Sequence, residues 1–282
     1  MGVLNLTPDS FSDGGRFWTG DAAGVGRVDP EPALARARAM LAAGADLLDL
    51  GAESTRPAGR TYGAGAAAVD AEEELARLLP VLERLRAETD AVLSVDTRKG
   101  AVARAALAAG ADLINDVSAL GDPELAAAVA VAGCPVVLMH SRGETADMHL
   151  HARYDDVVGE VRAELAAALD RAAAAGIDRG QVLLDPGIGF AKTRAHNLAL
   201  LRRLDALHGL GRPLLVGASR KSFIGELTGA PPSERLAGSL AAVGWAARHG
   251  TSIVRVHDVE ATVQFLAVDA AIASAGPAGV AP

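Results

Sequence analysis

Polar and charged side chains stand directly after a series of apolar, strand-length runs in this 282-residue sequence. Carboxylates, guanidinium groups and ammonium groups gathered in this way can hold an anionic substrate and stabilise charge that develops during a reaction. Taken singly, each has a structural explanation, because Asp, Asn and Ser after a strand are favoured in turns and at helix N-termini. The members of this polar ring are Asn5, Glu53-Ser54-Thr55-Arg56, Asp96, Asn115 with Asp116, His140, Asp185, Ser219-Arg220-Lys221-Ser222, and Arg255 with His257-Asp258.

The cationic members of the ring predict an anion site near the end of the chain. Arg255 and His257 alternate along one extended segment, so their side chains project to the same side. Residues 219–222 precede a predicted helix, whose first backbone N–H groups are donors for an anion. Barrel enzymes often bind phosphate close to the seventh and eighth strands. The structural alternative for Arg255 is an ion pair with Asp258.

Metal and thiol chemistry have weaker signals. Asn5 and Asp13 suit a hard cation such as Mg2+, which prefers oxygen ligands and bound phosphates. His149 and His151 could suggest a transition metal, but few other ligands surround them and a solvated loop is the favoured interpretation. Cys134 stands between apolar segments, which predicts a buried and unreactive thiol.

The apolar runs themselves indicate how these residues are positioned. They are continuous rather than alternating, as expected for parallel strands that are buried on both faces. The repeat AAGADLL at 42–48 and AAGADLI at 108–114 joins a helix end, a glycine and a strand. The eight predicted strands are 3–6, 47–50, 91–95, 113–117, 136–139, 182–184, 214–216 and 253–256.

Ala-rich helical segments separate these runs, and the resulting pattern predicts a single-domain α/β chain folded as a (β/α)8 TIM barrel over residues 1–275. Pro80 is expected to kink or interrupt the second helix. Two long connections, at about 7–29 and 52–70, follow strands 1 and 2 and therefore lie on the catalytic face. Residues 276–282 are expected to form a disordered tail.

The composition narrows the class of protein. A net charge of −8 argues against general binding to nucleic acid or to anionic membranes, which requires clustered Lys and Arg. No apolar run approaches the roughly 18 residues of a membrane span, and the first ten residues lack the pattern of a signal peptide. One cysteine excludes an internal disulfide. These features predict a cytoplasmic enzyme that acts on small molecules.

The residues of the polar ring and their neighbours resemble the dihydropteroate synthase family of pterin-binding barrels along nearly the whole chain. The resemblance rests on several specific motifs. They are MGVLNLTPDSFSDGG at 1–15, ESTRP at 53–57, SVDT at 94–97, ND at 115–116, LMH at 138–140, LDPGIGF at 184–190, GASRKSF at 217–223 and RVHD at 255–258.

The resemblance implies condensation of 6-hydroxymethyl-7,8-dihydropterin diphosphate with p-aminobenzoate, which yields 7,8-dihydropteroate and pyrophosphate in folate synthesis. It further implies Mg2+ as cofactor at Asn5, sulfonamide competition and a homodimer formed through the later helices. The catalytic residues it implies are Asp96, Asp185, Lys221, Arg255, His257, Asp13 and Arg56. For the pterin and its diphosphate it implies Thr55, Asp96, Asn115, Met139, Asp185, Lys221, Arg255 and His257. For p-aminobenzoate it implies Phe11, Pro57, Phe190, Lys221 and Ser222.

Two other functions remain open on the sequence. A methyltetrahydrofolate:corrinoid methyltransferase would share the pterin scaffold, but its substrate has no diphosphate for Arg56, Arg255 and His257 to hold. A non-catalytic pterin-binding paralogue is the second alternative, because both long connections carry residues that the family pattern lacks. Pterin binding without pyrophosphate release would distinguish that paralogue.

Overall fold

A computed structural model describes residues 1–7, 29–54, 69–144 and 147–275. Strands and helices alternate along these residues, and all strand pairs are parallel. The strands are β1 Gly2–Asn5, β2 Leu47–Gly51, β3 Val92–Asp96, β4 Leu113–Asp116, β5 Val136–Met139, β6 Val182–Asp185, β7 Leu215–Val216 and β8 Ile253–Val254. The helices are α1 Pro30–Ala42, α2 Ala71–Glu88, α3 Gly100–Ala108, α4 Pro123–Ala132, α5 Val157–Ala174, α6 Arg194–Arg202, α7 Asp205–His208, α8 Ser222–Thr228, α9 Leu236–Arg248 and α10 Val259–Ser274.

The strands close into a barrel through short contacts at two junctions. Strands β1 to β6 form one sheet in sequence order, and β7 pairs with β8. A bridge between Leu184 and Leu214 joins the two sheets on one side, and a bridge between Gly2 and Val256 joins them on the other. The backbone N–H of Val256 donates to the carbonyl of Met1 at 3.0 Å across this second junction. The predicted eight-stranded barrel is therefore confirmed.

Apolar side chains fill two separate regions of this barrel. The larger core lies between the strands and the surrounding helices and includes Leu4, Leu50 and Leu138, all of them fully buried. A smaller cluster of Met1, Leu113, Val137 and Leu215, which come from the N-terminal halves of their elements, packs separately from it. Because alternate strand residues face opposite sides, this second cluster fills the N-terminal end of the barrel interior and leaves the C-terminal end to polar groups.

Helix α2 continues through Pro80, so the interruption predicted there does not occur. A proline inside a helix removes one hydrogen bond and costs roughly 3 kcal/mol. The helix offsets that cost by tertiary packing, because Leu78, Val81, Leu82 and Leu85 are buried against the barrel. Its first turn is capped by Asp70, whose carboxylate accepts from the backbone N–H of Glu73 at 2.8 Å.

The long connections predicted after strands 1 and 2 fall largely on residues 8–28 and 55–68, and the predicted tail is 276–282. These segments lie outside the described residues. Among the helices of the described ranges, none combines the length and the apolar character needed to cross a bilayer.

Candidate active site

Four of the predicted site residues lie at the C-terminal ends of adjacent strands. Asp96 ends β3 and pairs in register with Asn115 of β4, while Met139 ends β5 and pairs with Asp185, the last residue of β6. Asn115, Met139 and Asp185 are each at most 5% exposed. Consecutive parallel strands therefore bring two carboxylates, an amide and a thioether together at the mouth of the barrel.

Arg255 follows β8, and its side chain reaches past β1 to residues of β2 and β3. Its Nε donates to the carboxylate of Asp49 at 2.5 Å, and its Nη2 donates to Asp96 at 2.9 Å. The alternative ion pair with Asp258 is wrong, because Asp258 accepts from Nε of Arg220 at 2.9 Å instead. Arg255 is thus joined directly to one of the carboxylates predicted for the site.

The sequence interpretation missed Asp49, which belongs to this network. It lies in the middle of β2 and is fully buried. Besides Arg255, its carboxylate accepts from Ser94 Oγ at 2.5 Å and from Asn115 Nδ2 at 3.2 Å. The available signal was an acidic residue inside an apolar strand of a barrel, because a buried carboxylate is costly unless hydrogen-bonded partners surround it.

Burial alters the acid–base properties of the central carboxylates. It raises the pKa of Asp96 to about 7, against the opposing effect of Arg255, and the carboxylates of Asp49, Glu74 and Asp116 raise it further. It also raises the pKa of Asp185, although the Gly187 backbone N–H and the Lys221 ammonium act in the opposite direction. Both groups therefore hold protons more tightly than an exposed aspartate does.

The cationic groups respond to burial and to these neighbours. The pKa of Lys221 is lowered to about 8. Burial is the main cause and Arg255 adds to it, while Asp185 and Asp96 act in the opposite direction. Burial alone would lower the pKa of Arg255, but Asp49 and Asp96 raise it above its ordinary value. Arg255 consequently keeps its charge, whereas Lys221 can lose a proton within a moderately alkaline range.

His257 lies beside this network as a neutral imidazole. Burial lowers its pKa to about 3, with further contributions from Arg255 and Arg220. Ser219 Oγ accepts from the backbone N–H of His257 at 3.3 Å and lies 3.0 Å from its Nδ1. With Nδ1 as the acceptor of the Ser219 hydroxyl, the ring proton is on Nε2, which is then a donor.

A second group of predicted residues forms one wall of the mouth. The Lys221 ammonium lies 4.1 Å from the centroid of the Phe190 ring. Ser222 begins α8 directly after Lys221, which is the N-cap of that helix. The resemblance assigns three residues of this wall to p-aminobenzoate, and the structure places them close together: Phe190, Lys221 and Ser222.

Lys192 holds the loop that carries Phe190 through hydrogen bonds to backbone carbonyls. The sequence interpretation also missed this residue. Its ammonium donates to the carbonyls of Phe190 at 2.9 Å and His140 at 3.3 Å, and it lies 2.9 Å from His140 Nδ1. Gly187, at φ 67°, allows this close approach, because a Cβ there would lie 1.9 Å from the His140 carbonyl oxygen. Burial lowers the pKa of Lys192 to about 7.

Three members of the polar ring have structural partners away from the central network. The carboxylate of Asp116 accepts from the backbone N–H groups of Ser118 and Leu120 in its own loop. Glu53 accepts from Lys99 Nζ at 2.9 Å. His140 Nε2 lies 2.9 Å from Glu164 Oε2. For these residues the turn-forming or ion-pairing interpretation is correct.

Five predicted site residues lie outside the described residues: Phe11, Asp13, Thr55, Arg56 and Pro57. Asn5, the predicted metal ligand, ends β1 and pairs in register with Gly51, which in turn pairs with Asp96. Cys134 is 8% exposed, and burial raises the pKa of its thiol, as expected for an unreactive cysteine. His149 and His151 lie in a short 3₁₀ turn, and no metal-binding cluster of three or more His, Cys, Asp or Glu occurs within the described ranges.

Comparison with known proteins agrees with this geometry. The family model described as pterin binding enzyme matches residues 1–257. Dihydropteroate synthase of Escherichia coli is 46% identical over 275 residues, which cover 98% of this chain and 92% of the relative. The solved structure of Yersinia pestis dihydropteroate synthase with a sulfonamide drug complex superposes with a TM-score of 0.87 at 45% identity, covering 98% of this chain and 94% of that one.

A further solved structure, dihydropteroate synthase of Xanthomonas albilineans in complex with 7,8-dihydropteroate, has a TM-score of 0.82 at 46% identity, with 98% of this chain and 94% of that chain covered. The chain belongs to the family of pterin-binding enzymes. Within that family it is an enzyme of the dihydropteroate synthase type, a transferase.

The pKa values of Asp96 and Lys221 predict a bell-shaped pH dependence of kcat/KM. Asp96 offers both of its oxygens as charged acceptors only when it is ionised, so activity should fall as the pH decreases through about 7. Lys221 donates fully only as an ammonium, so activity should fall again as the pH rises through about 8. Lys221→Arg should move the alkaline limb upward and leave the acid limb in place. A flat profile across this range would contradict the assignment.

Proposed function

We propose that the chain joins 6-hydroxymethyl-7,8-dihydropterin diphosphate to p-aminobenzoate and releases pyrophosphate. The single observation that carries this assignment is the charged network in which Arg255 bonds Asp96 and also interacts with Asp185 and Lys221. A dihydropterin diphosphate has a ring rich in N–H groups and an anionic tail. The network offers carboxylates to the N–H groups of the ring and cations to the anionic tail, side by side at one site.

The pterin ring would be bound by groups of complementary hydrogen-bonding type. Asp96 and Asp185 accept from ring N–H groups, and the Lys221 ammonium donates to ring acceptors. The amide of Asn115 can do both, although one of its donors is already used by Asp49. Met139, which is 4% exposed, supplies a polarisable apolar surface for the ring.

The diphosphate would be held by Arg255 and His257. Arg255 supplies a fixed positive charge, and neutral His257 supplies one N–H donor through Nε2. From the resemblance, Thr55 and Arg56 are proposed to add further donors. These groups stabilise negative charge as it grows on the departing pyrophosphate.

The residues around Asn5 fit a Mg2+ that is shared with the substrate. Asn5 offers one amide oxygen at the end of β1, and a Cβ added to the neighbouring Gly51 would still lie 3.8 Å from it. One protein oxygen suits Mg2+, which keeps several waters and binds substrate phosphates, better than it suits a metal enclosed by protein ligands alone. When bound, Mg2+ supplies Lewis-acid stabilisation of the leaving diphosphate.

The displacement is proposed to be dissociative. The bond between the pterin methylene carbon and the diphosphate oxygen breaks, and pyrophosphate leaves with the electron pair. The electron-rich dihydropterin supports the methylene cation, and the charges of Asp96 and Asp185 help to offset it. The amine nitrogen of p-aminobenzoate then forms the new carbon–nitrogen bond and gives up one proton to water. Asp13 is proposed to order the closed site during these steps.

The p-aminobenzoate ring would pack against Phe190 and Lys221, with its carboxylate at Ser222 and the start of α8. Phe11 and Pro57 are proposed to complete this pocket. The Yersinia pestis relative was solved with a sulfonamide drug complex, and sulfonamides resemble the amine substrate in shape and charge. We therefore expect sulfonamides to compete with p-aminobenzoate here.

Pyrophosphate release tests this function against its alternatives. The purified protein with dihydropterin diphosphate and Mg2+ should release pyrophosphate only when p-aminobenzoate is present, and removal of Mg2+ with a chelator should abolish the release. Tight pterin binding without release would support a non-catalytic paralogue instead. A methyltransferase of the corrinoid type should accept methyltetrahydrofolate, which has no diphosphate for Arg255 and His257.

We also propose that the protein is a homodimer formed through its later helices. Helices α6, α8 and α9 contact one another and each presents an exposed apolar side chain: Leu198, Leu227 and Trp245, which are 39%, 55% and 43% exposed. Neighbouring apolar groups on adjoining helices form the kind of surface that obligate interfaces cover.

Sedimentation velocity of charged variants tests the dimer. Leu227→Glu should convert the protein to monomer, because it buries an unpaired charge in the proposed interface. Val131→Glu is the matched control, since Val131 is 90% exposed on the distant helix α4 and should leave the dimer intact. A wild-type protein that sediments as a monomer at micromolar concentration would refute the proposal.

The remaining proposals concern organisation and location. Residues 1–275 are proposed to act as one domain. We propose that the protein works in the cytoplasm on small molecules and binds neither nucleic acid nor membrane, in keeping with its net charge of −8.

A further inference from the structure

One buried carboxylate connects residues that belong to different parts of the proposed site. Asp49 accepts from Arg255 Nε at 2.5 Å, from Asn115 Nδ2 at 3.2 Å and from Ser94 Oγ at 2.5 Å. These donors come from three different positions around the barrel, after β8, on β4 and on β3. Two of them are the groups proposed to bind the diphosphate and the pterin.

The contacts to Asp49 fix the orientation of both partners. Arg255 has a planar guanidinium, and its Nε and Nη2 are held by two different carboxylates, Asp49 and Asp96. Such a fork cannot rotate without breaking one of these charge-assisted bonds. Asn115 likewise directs one amide hydrogen at Asp49, which fixes which edge of its amide faces the barrel mouth.

We propose that Asp49 is a positioning residue that sets Arg255 and Asn115 relative to each other, so that the pterin ring and the diphosphate are bound as one unit. Asp49 is fully buried beneath the mouth and is assigned no contact with either substrate. This inference rests on the proposed function, because the diphosphate and the pterin are the ligands that the proposed function assigns to Arg255 and Asn115.

The charged groups around Asp49 explain why its charge matters. Asp96 and Asp185 would leave Arg255 among carboxylates even without Asp49. Among the residues that the structure describes, only the carboxylates of Asp49 and Asp96 bond it directly. During binding Asp96 must also accept from the pterin. Asp49 has no such second task, and it therefore holds Arg255 in place while Asp96 serves the substrate. Lys221 faces Asp96 and Asp185 from α8 and balances those carboxylates.

Calorimetry with the two halves of the substrate tests this coupling. Asp49→Asn removes the charge but preserves the size of the side chain. With Mg2+ present throughout, it should weaken pyrophosphate binding by about tenfold or more, as expected when a hydrogen bond to a charged group is lost. It should also weaken binding of the bare pterin by roughly threefold, through the reoriented Asn115 amide.

Two comparison variants make the result specific. Arg255→Ala should weaken pyrophosphate binding and leave the bare pterin within about twofold, because Asn115 keeps its bond to Asp49. Ser94→Ala removes one donor to Asp49 while the carboxylate, Arg255 and Asn115 keep their contacts, so both affinities should stay within about twofold. An Asp49→Asn protein that melts near the wild-type temperature and binds both halves normally would overturn the inference. A loss for pyrophosphate alone would overturn it equally.

A measurement on the unmutated protein covers the case in which Asp49→Asn does not fold. The Nε–H of Arg255, assigned by its disappearance in Arg255→Lys, should give a downfield and slowly exchanging NMR signal at neutral pH in the free protein and with pyrophosphate bound. Rapid exchange in either state would refute the anchoring role. Failure of the wild-type protein to bind pyrophosphate would refute the proposed diphosphate role, and the NMR signal of the free protein would still decide on Asp49.

Discussion

Arg255 lies at the centre of the barrel mouth, and the free-energy cost of burying its positive charge organises the side chains around it. The Arg255 side chain is only 21% exposed, and a guanidinium that is withdrawn from water to this extent needs carboxylates of good geometry around it. Asp49 and Asp96 meet this need from β2 and β3, and Asp49 also accepts hydrogen bonds from Ser94 and Asn115. This charged network is in place before any substrate arrives, so little reorganisation is needed when one binds.

The barrel makes this arrangement possible because it separates packing from chemistry. Met1, Leu113, Val137 and Leu215 fill the N-terminal end of the interior, and the outer core packs between strands and helices. The C-terminal strand ends are therefore free to carry polar residues whose burial costs stability. Buttressing groups such as Lys192, which ties the Phe190 loop to the end of β5, hold the rim rigid around them.

The strands, the barrel and most of the central site could be predicted from sequence, because continuous apolar runs followed by polar residues have few structural solutions. Asp49 was missed because it interrupts an apolar run instead of following one. Asp116, Glu53 and His140 were included in the polar ring because position after a strand does not show to which side a side chain turns. The kink or interruption at Pro80 was predicted from local propensity, and the packing of α2 keeps the helix continuous there. Partners such as Asp258 with Arg220 depend on geometry between distant loops.

A crystal structure of the protein with dihydropterin diphosphate and Mg2+ would test the central claim most directly. The account predicts a diphosphate within hydrogen-bonding distance of Arg255, a pterin ring between Asn115 and Asp185, and an unbroken contact between Arg255 and Asp49. A diphosphate bound away from Arg255, or an Arg255 side chain that has left Asp49 to reach it, would contradict the view that a preformed charge network defines this site.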